Sequence, residues 1–505
     1  MTLQESVRRK TLKFIAARLV SSTLFGYSIK GAFGMNPIFS EFKRKFSLSV
    51  CKDRIIKLGE MSFSKDFVND TRGDLYPLFE KGGECCEKVE SHLYKVTRGY
   101  AERLFCRFFP FASYEVSFVG GEVGFCFRLP DTEAKITVKD GRAIYLCDGR
   151  CEEAELPKPL SEEITLVVSC RTGAFDLYLK RAGKCEILHT VDEPRFADSN
   201  LEAVFSNSYV YLYAADGAAV KSVLSYMDCG ISIADIRPIK YENGEPMLEG
   251  GRVYLTASVR MNANSYQGIF SWIPGTAELD MTGALFFNTG EGRWSNFVAS
   301  CIVYDRREKR WYAFASSFGL GHILVRCAFD GDVRWGVNVL DVEFMERANE
   351  KSSITDFVGF EGDEDPDIIY DSKNDRWLMA VCRVDPELDY GYMFYESKSP
   401  LDGYTYLGRT PAGGETGGSF VSLDGEIFFV CGVGWETKSG YRIFDKDGLH
   451  KAKFNYPDGG FRGWGTVIPV KLGNRTRTFW LTFDRHRGSE YNWSYGNIYC
   501  FEAMR

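Results

Sequence analysis

Between Met61 and Asp228 the chain carries short runs in which apolar and polar residues alternate or apolar residues cluster. They read YEVSFVGG, GFCFRL, ITLVVSC, AFDLYLKR, CEILHTV, LEAVFS and YVYLYAA, parted by glycine and polar turns. Such spacing of short runs, with few stretches of helical period, predicts a β-sandwich of jelly-roll or concanavalin-like kind. After Asp228 the rhythm changes and a hairpin recurs: an apolar strand, an acidic or glycine turn, and a second strand rich in aromatics. Its copies are IKYENGEPMLEGGRVYLTAS, IVYDRREKRWYAFAS, IIYDSKNDRWLMAV, FVSLDGEIFFVCG and VIPVKLGNRTRTFWLTF. The aromatic markers Tyr254, Trp311, Trp377, Phe428 and Trp480 stand roughly 50–65 residues apart, room for four strands per unit. A lone sheet leaves its faces wet, whereas five stacked around an axis cover one another, so the pattern predicts a five-bladed β-propeller with the markers packed between blades. The prediction is an all-β chain: 1–60 a helical or export-signal-like segment, 61–228 the sandwich, 229–505 the propeller.

The N-terminal stretch SVRRKTLKFIAARLVSSTLFGYSIKGAFG sets a twin arginine ahead of a mildly apolar run, which has the form of a bacterial twin-arginine export signal. Arg18, Lys30 and the lack of an A-x-A site fit an amphipathic helix instead. The first reading places the protein in the periplasm or outside the cell, the second in the cytoplasm. No run of about 20 uninterrupted apolar residues follows, so no membrane span is expected. A formal charge of -7 over 505 residues gives no electrostatic footprint for nucleic acid and leaves a neutral or polar partner. Fifteen cysteines contain no CxxC pair, the close sets being Cys85-Cys86 and Cys147…Cys151, and the five histidines are dispersed. No metal or cofactor is expected from them, beyond an ion or water in the propeller channel. The odd cysteine count leans towards a reducing compartment. Nothing in the pattern speaks to oligomeric state.

Candidate chemistry follows from the repeat. If the first strand of each hairpin is innermost, the residues just ahead of it line one mouth of the channel. Asp235 of IADIRPIKY, Asp365 of DEDPDIIY and Glu415 of GGETGGSF occupy such places, with Arg293, Trp294 and Asn296 in the second unit and Trp464 in the fifth. Gathered carboxylates repel and push at least one pKa up, as glycoside hydrolysis requires: one carboxylic acid donates a proton to the leaving oxygen while a carboxylate activates water. Tryptophan offers an apolar face for a sugar ring. In EGDEDPDIIYD, Asp365 is preferred because Pro366 holds the residue before it extended, and the neighbouring acids are expected to face water or bind backbone donors. Asp235 also fits a turn cap, and the glycines flanking Glu415 fit either a close ligand approach or a plain turn.

The order Asp, Asp-Pro, Glu across successive hairpins resembles glycoside hydrolase family 43 and its furanosidase relatives in family 32, over Cys229 to Arg505. The resemblance implies Asp235 as general base, Asp365 as the residue that orients and tunes the acid, and Glu415 as general acid. It also matches the blade-closing histidine to His486 in WLTFDRHRG. The departures are DIRP, GETGG and GWG where the families carry Asp-Pro, Glu-Gly-Pro and Gly-His, and a sandwich placed ahead of the propeller. Two roles stay open for each of several residues: Arg237 as a hydroxyl contact or the partner of an acid, His486 as an ion or water holder or a structural histidine, Trp294 and Trp464 as sugar subsites or core. The activity implied is inverting removal of a terminal sugar from a poly- or oligosaccharide, for which the two carboxyl groups stand ~6.5–9.5 Å apart. A glycoside phosphorylase, with Arg237, Arg293, Arg485 or His486 forming a cationic pocket, and a non-catalytic carbohydrate-binding propeller are the alternatives.

Overall fold

The structure is a computed structural model that describes residues 41–50, 86–90, 93–97, 99–158, 163–181, 184–227, 232–261, 264–295, 297–317, 322–345, 362–385, 389–410, 413–433, 440–445, 448–451, 453–455, 465–473, 475–485 and 495–503. Among these residues the chain is all-β, as its alternating runs predict; helix is confined to the turns Pro194–Phe196 and Glu202–Phe205. The export-like stretch, Asn296, Trp464 and His486 lie outside the described residues.

Two compact units form: Met1–Arg54 with Cys229–Thr289 and Asn296–Arg505, and Ile55–Asp228 with Gly290–Ser295. The second unit holds a seven-stranded and a six-stranded antiparallel sheet. Strand Ala112–Val119 lies inside the first and Glu122–Leu129 inside the second. Buried aromatics of the two interlock, with Phe127 packed 5.1 Å from Phe175 and 5.4 Å from Tyr114, ring centre to ring centre.

In the other unit five antiparallel hairpins each grow into a sheet. Their first strands are Ser232–Pro238, Val298–Asp305, Asp363–Asp371, Glu415–Leu423 and Thr466–Leu472. Each pairs with the strand bearing its aromatic marker. All five markers are buried. Tyr254 and Trp311 share one apolar cluster, Trp377 lies in the next, and Phe428 and Trp480 share a third. Phe479 of the fifth sheet meets Trp272 of the first at 5.1 Å. Burying one such side chain stabilises by about 1.5–3 kcal/mol, so these contacts hold neighbouring sheets in register.

Two boundaries differ from the sequence reading. Strand Glu41–Val50, placed by that reading in a helical or export-like segment, pairs antiparallel with Tyr495–Ala503 and parallel with Glu278 and Leu279 through Ser49 and Val50. It therefore completes the fifth sheet and ties it to the first. Its composition, EFKRKFSLSV, has the alternation of a strand once the arginines upstream are set aside. The second difference is 290–295, which leaves the repeat region and joins the other unit.

Candidate active site

One backbone device recurs in four of the five first strands. Each slips register against its partner at the same place: between Ala234 and Arg237, Val298 and Cys301, Glu364 and Asp367, and Thr416 and Ser419. Within each slip one residue is left-handed: Asp235 (φ 53°), Ala299 (52°), Asp365 (51°) and Gly417 (61°). A β-bulge of this kind leaves an extra residue unpaired and re-aims its side chain. Asp235 and Asp365 therefore occupy equivalent positions, inside their strands rather than ahead of them. The extended backbone expected for Asp365 before Pro366 is not adopted, because the bulge bonds hold it left-handed. Its N–H donates to Ser316 Oγ at 2.8 Å, and its Oδ2 accepts from Thr416 Oγ1 at 3.0 Å and from the Gly417 N–H at 2.9 Å. The Ala299 N–H likewise donates to Ser258 Oγ at 2.9 Å. The bulges at Ala299, Asp365 and Gly417 are thus each caught by a side chain of the preceding sheet.

The first strands meet directly. Arg237, buried, donates from Nη1 to the Pro366 carbonyl at 2.6 Å. Lys240 Nζ reaches Asp367 Oδ2 at 2.7 Å with both groups buried, and the same oxygen accepts the Phe420 N–H at 2.6 Å. Lys240 pairs with Val303 of the second sheet, so Asp367 joins the second, third and fourth sheets at one point. Arg237 is accordingly the partner of acids: burial opposes its charge, but Asp365 and Asp367 beside it outweigh that and raise its pKa.

The acids of DEDPDIIYD do not face water. Asp363, Glu364, Asp365, Asp367 and Asp371 are all buried. Asp363 pairs with Arg383 at 2.8 Å. Asp371 accepts from the Asn374 amide at 2.6 Å and from Arg376 at 3.1 Å, closing the hairpin turn. Glu364 and Asp365 stand apart from these: among the described residues neither forms an ion pair with a lysine or arginine, Arg237 acting on Asp365 through its charge alone. Burial pushes Glu364 up to about 7, with the charges of Asp365 and Asp235 adding to it and His322 opposing. Burial also raises Asp365, which Arg237 opposes and Asp235 reinforces. These mutual influences bring Asp235, Glu364 and Asp365 into one electrostatic cluster.

Glu415 is not brought into it in the expected way. Side chains alternate along a strand. Thr416 turns its hydroxyl to Asp365, and Glu415 turns the other way, fully buried, where its carboxylate accepts from Thr410 Oγ1 at 2.6 Å and pairs with Arg442. An ion-paired carboxylate without exposure is poorly suited to hold and release a proton.

The second-unit candidates are also redirected. Trp294 is 1% exposed, its ring 4.7 Å from Phe205 and 5.6 Å from Phe109, so the indole is core and offers no face to a sugar. Arg293 donates to Asp198 at 2.6 Å and Asn200 at 3.0 Å. The segment that carries both is an excursion pinned by Glu202 N–H to the Gly292 carbonyl at 2.8 Å.

His322 was missed. It is one of five dispersed histidines, and only the fold sets it against Glu364, Nδ1 to Oε2 at 3.4 Å. A metal would find donor atoms of Glu364, Asp365 and Cys382 within 4.8 Å of one another. The thiol, however, donates to the Glu415 carbonyl at 3.3 Å, and burial beside two carboxylates raises its pKa far above the ordinary thiol range, so it is no ready thiolate ligand. A cavity of about 500 Å³ opens elsewhere, at the hairpin-turn ends, lined by Tyr241, Asn243, Tyr370, Asn374, Ser422 and Lys471. It holds none of the clustered carboxylates.

No family model matches the chain, and no curated protein does. Among solved structures it is similar to an exo-β-1,3-galactanase from Clostridium thermocellum at 9% identity, over 53% of this chain and 62% of that one, with a TM-score of 0.37. It is also similar to an α-L-arabinofuranosidase from Podospora anserina (13%, 54% and 91%, 0.35) and to Bacillus subtilis levansucrase (9%, 54% and 84%, 0.36). The chain spans less than two thirds of the galactanase, and likeness at this level transfers neither an activity nor a residue's role.

Proposed function

We propose that the protein is a glycoside hydrolase whose repeat region is a five-bladed β-propeller and whose other unit is a β-sandwich, and that the clustered carboxylates do its chemistry. The observation that carries the reading is the pair of equivalent bulges that set Asp235 and Asp365 together beside Arg237. Folded chains keep adjacent buried anions at a cost in stability, and hydrolysis of a glycosidic bond is a use that repays it. Asp235 is the base that takes a proton from water opposite the leaving group. Asp365, fixed by Thr416 and Gly417, orients the cluster and keeps its field negative, so that a neighbouring carboxyl holds its proton near neutral pH. The substrate is a terminal sugar of a poly- or oligosaccharide.

A carbohydrate-binding propeller without turnover is favoured by one feature, the commitment of Glu415 to Arg442. The phosphorylase reading has less support, since Arg237 and Arg293 are already engaged by the protein's own acceptors. Aryl glycosides and polysaccharides assayed with wild type and Asp235→Asn, with and without phosphate, separate the three. Hydrolysis independent of phosphate, reduced about 10²–10⁴-fold in Asp235→Asn, is expected. Sugar binding with no turnover in wild type would establish the binding module instead.

A further inference from the structure

His322 is held against the third sheet by features that have no role in packing an ordinary histidine. It is left-handed at φ 57°, a sparsely populated conformation for a residue other than glycine. Its carbonyl accepts the Asp363 N–H at 2.9 Å. Gly362 lies so close that a Cβ there would fall 2.3 Å from His322 Cβ, so glycine at 362 is what admits the histidine. The result sets the imidazole between two environments. Its side chain is 27% exposed, whereas that of Glu364, 3.4 Å away, is 6% exposed.

We infer that Glu364 and His322 form the proton-delivering pair of this site: Glu364 protonates the leaving glycosidic oxygen, and His322 resupplies Glu364 from solvent. The inference rests on the glycosidase reading and replaces Glu415 as the acid. In the step, the bond from the anomeric carbon to the leaving oxygen breaks and its electron pair takes the Glu364 proton. Water adds to the carbon as Asp235 removes a proton from it. The Asp235 proton passes to solvent, and a solvent proton returns to Glu364 through the imidazole, so the sum is addition of water across the bond. Asp235, Asp365 and Cys382 also face Glu364, and Arg237 faces Asp365; burial with these anions favours the protonated carboxyl.

The experiment has two arms on the full chain. In the first, glycosides with poor and good leaving groups are compared. Glu364→Gln is expected to lose at least about 100-fold in kcat on alkyl glycosides yet retain 2,4-dinitrophenyl glycoside turnover, which needs no protonation. His322→Gln is expected to lower kcat with KM unchanged, and added imidazole to restore it. The same leaving-group split in Glu415→Gln, and not in Glu364→Gln, overturns the inference. In the second arm, carbon-13 carboxyl NMR follows Glu364, identified by through-bond correlation to its own backbone amide. The expected titration near pH 7 moves upward in His322→Gln, which still reports if Glu364→Gln fails to fold. A Glu364 that titrates in the ordinary carboxylate range, or ignores His322→Gln, overturns the pair. Wild type inactive on every glycoside sinks the glycosidase reading, while the titration still decides whether the pair holds its proton.

Discussion

Glu364 and Glu415 are two buried glutamates with opposite electrostatic lives. Below about pH 4.5 Glu364 is protonated whether the chain is folded or not; between there and about 7 the folded protein keeps a proton that the unfolded chain has released. Stability therefore falls as pH rises through that window. Glu364→Gln stays neutral throughout and is expected to be more stable than wild type at pH 8, by on the order of 2–3 kcal/mol, with the gap closing near pH 4. Melting temperatures at the two pH values check it. Glu415→Gln has the reverse effect: it strands Arg442 beside a neutral amide and lowers stability by ~3 kcal/mol, while Glu415→Gln with Arg442→Met recovers much of the loss. Denaturant unfolding of the two variants measures both. The sequence brought Asp235 and Asp365 forward as acids a few residues ahead of an apolar run in their repeats, while the bulge position they share appears only in the register of the strands. It misled at Glu415, which stands two residues ahead of the bulge residue Gly417, at the place Asp363 holds in the third sheet, and like Asp363 is paired with an arginine. His322 could not be read at all, since no local pattern ties it to a carboxyl in another sheet.

At the scale of the element, the bulge does more than the strand it interrupts. Its left-handed residue is aspartate twice, glycine once and alanine once. Aspartate tolerates that conformation better than most residues and glycine adopts it freely, whereas alanine is strained there by about 1–2 kcal/mol. Ala299→Gly is therefore expected to leave the fold intact and to raise stability by up to about 1 kcal/mol after the entropy of the unfolded chain is counted, read from the denaturant midpoint. Gly418, next along the fourth bulge, behaves otherwise: a Cβ there would sit 2.3 Å from Phe429 Cζ and 2.5 Å from Tyr392 Cζ. Gly418→Ala must displace both rings and is expected to destabilise by about 1–3 kcal/mol in the same measurement. Hairpins and aromatic markers were readable from periodicity. The bulges were not, because a two-residue period carries no mark of where it slips.

At the scale of the molecule, the all-β class was evident in the alternation of residues, and the split near Asp228 in the change of rhythm. The two exceptions, 41–50 and 290–295, are segments whose partners lie far along the chain, a pairing no local window can register. Deleting 41–50 would bare the edge of Tyr495–Ala503 and the start of the next strand at Glu278 and Leu279 together. Loss of a cooperative calorimetric transition and a rise in light scattering are the expected outcome.

That pairing also fixes the order of events at the ribosome. Tyr495–Ala503 is made long after Glu41–Val50, so the seam between them cannot form until all the chain that separates them has been translated. A product cut short between the two would carry the seam's first half without its antiparallel partner, and would present the cell's proteases with an unpaired edge.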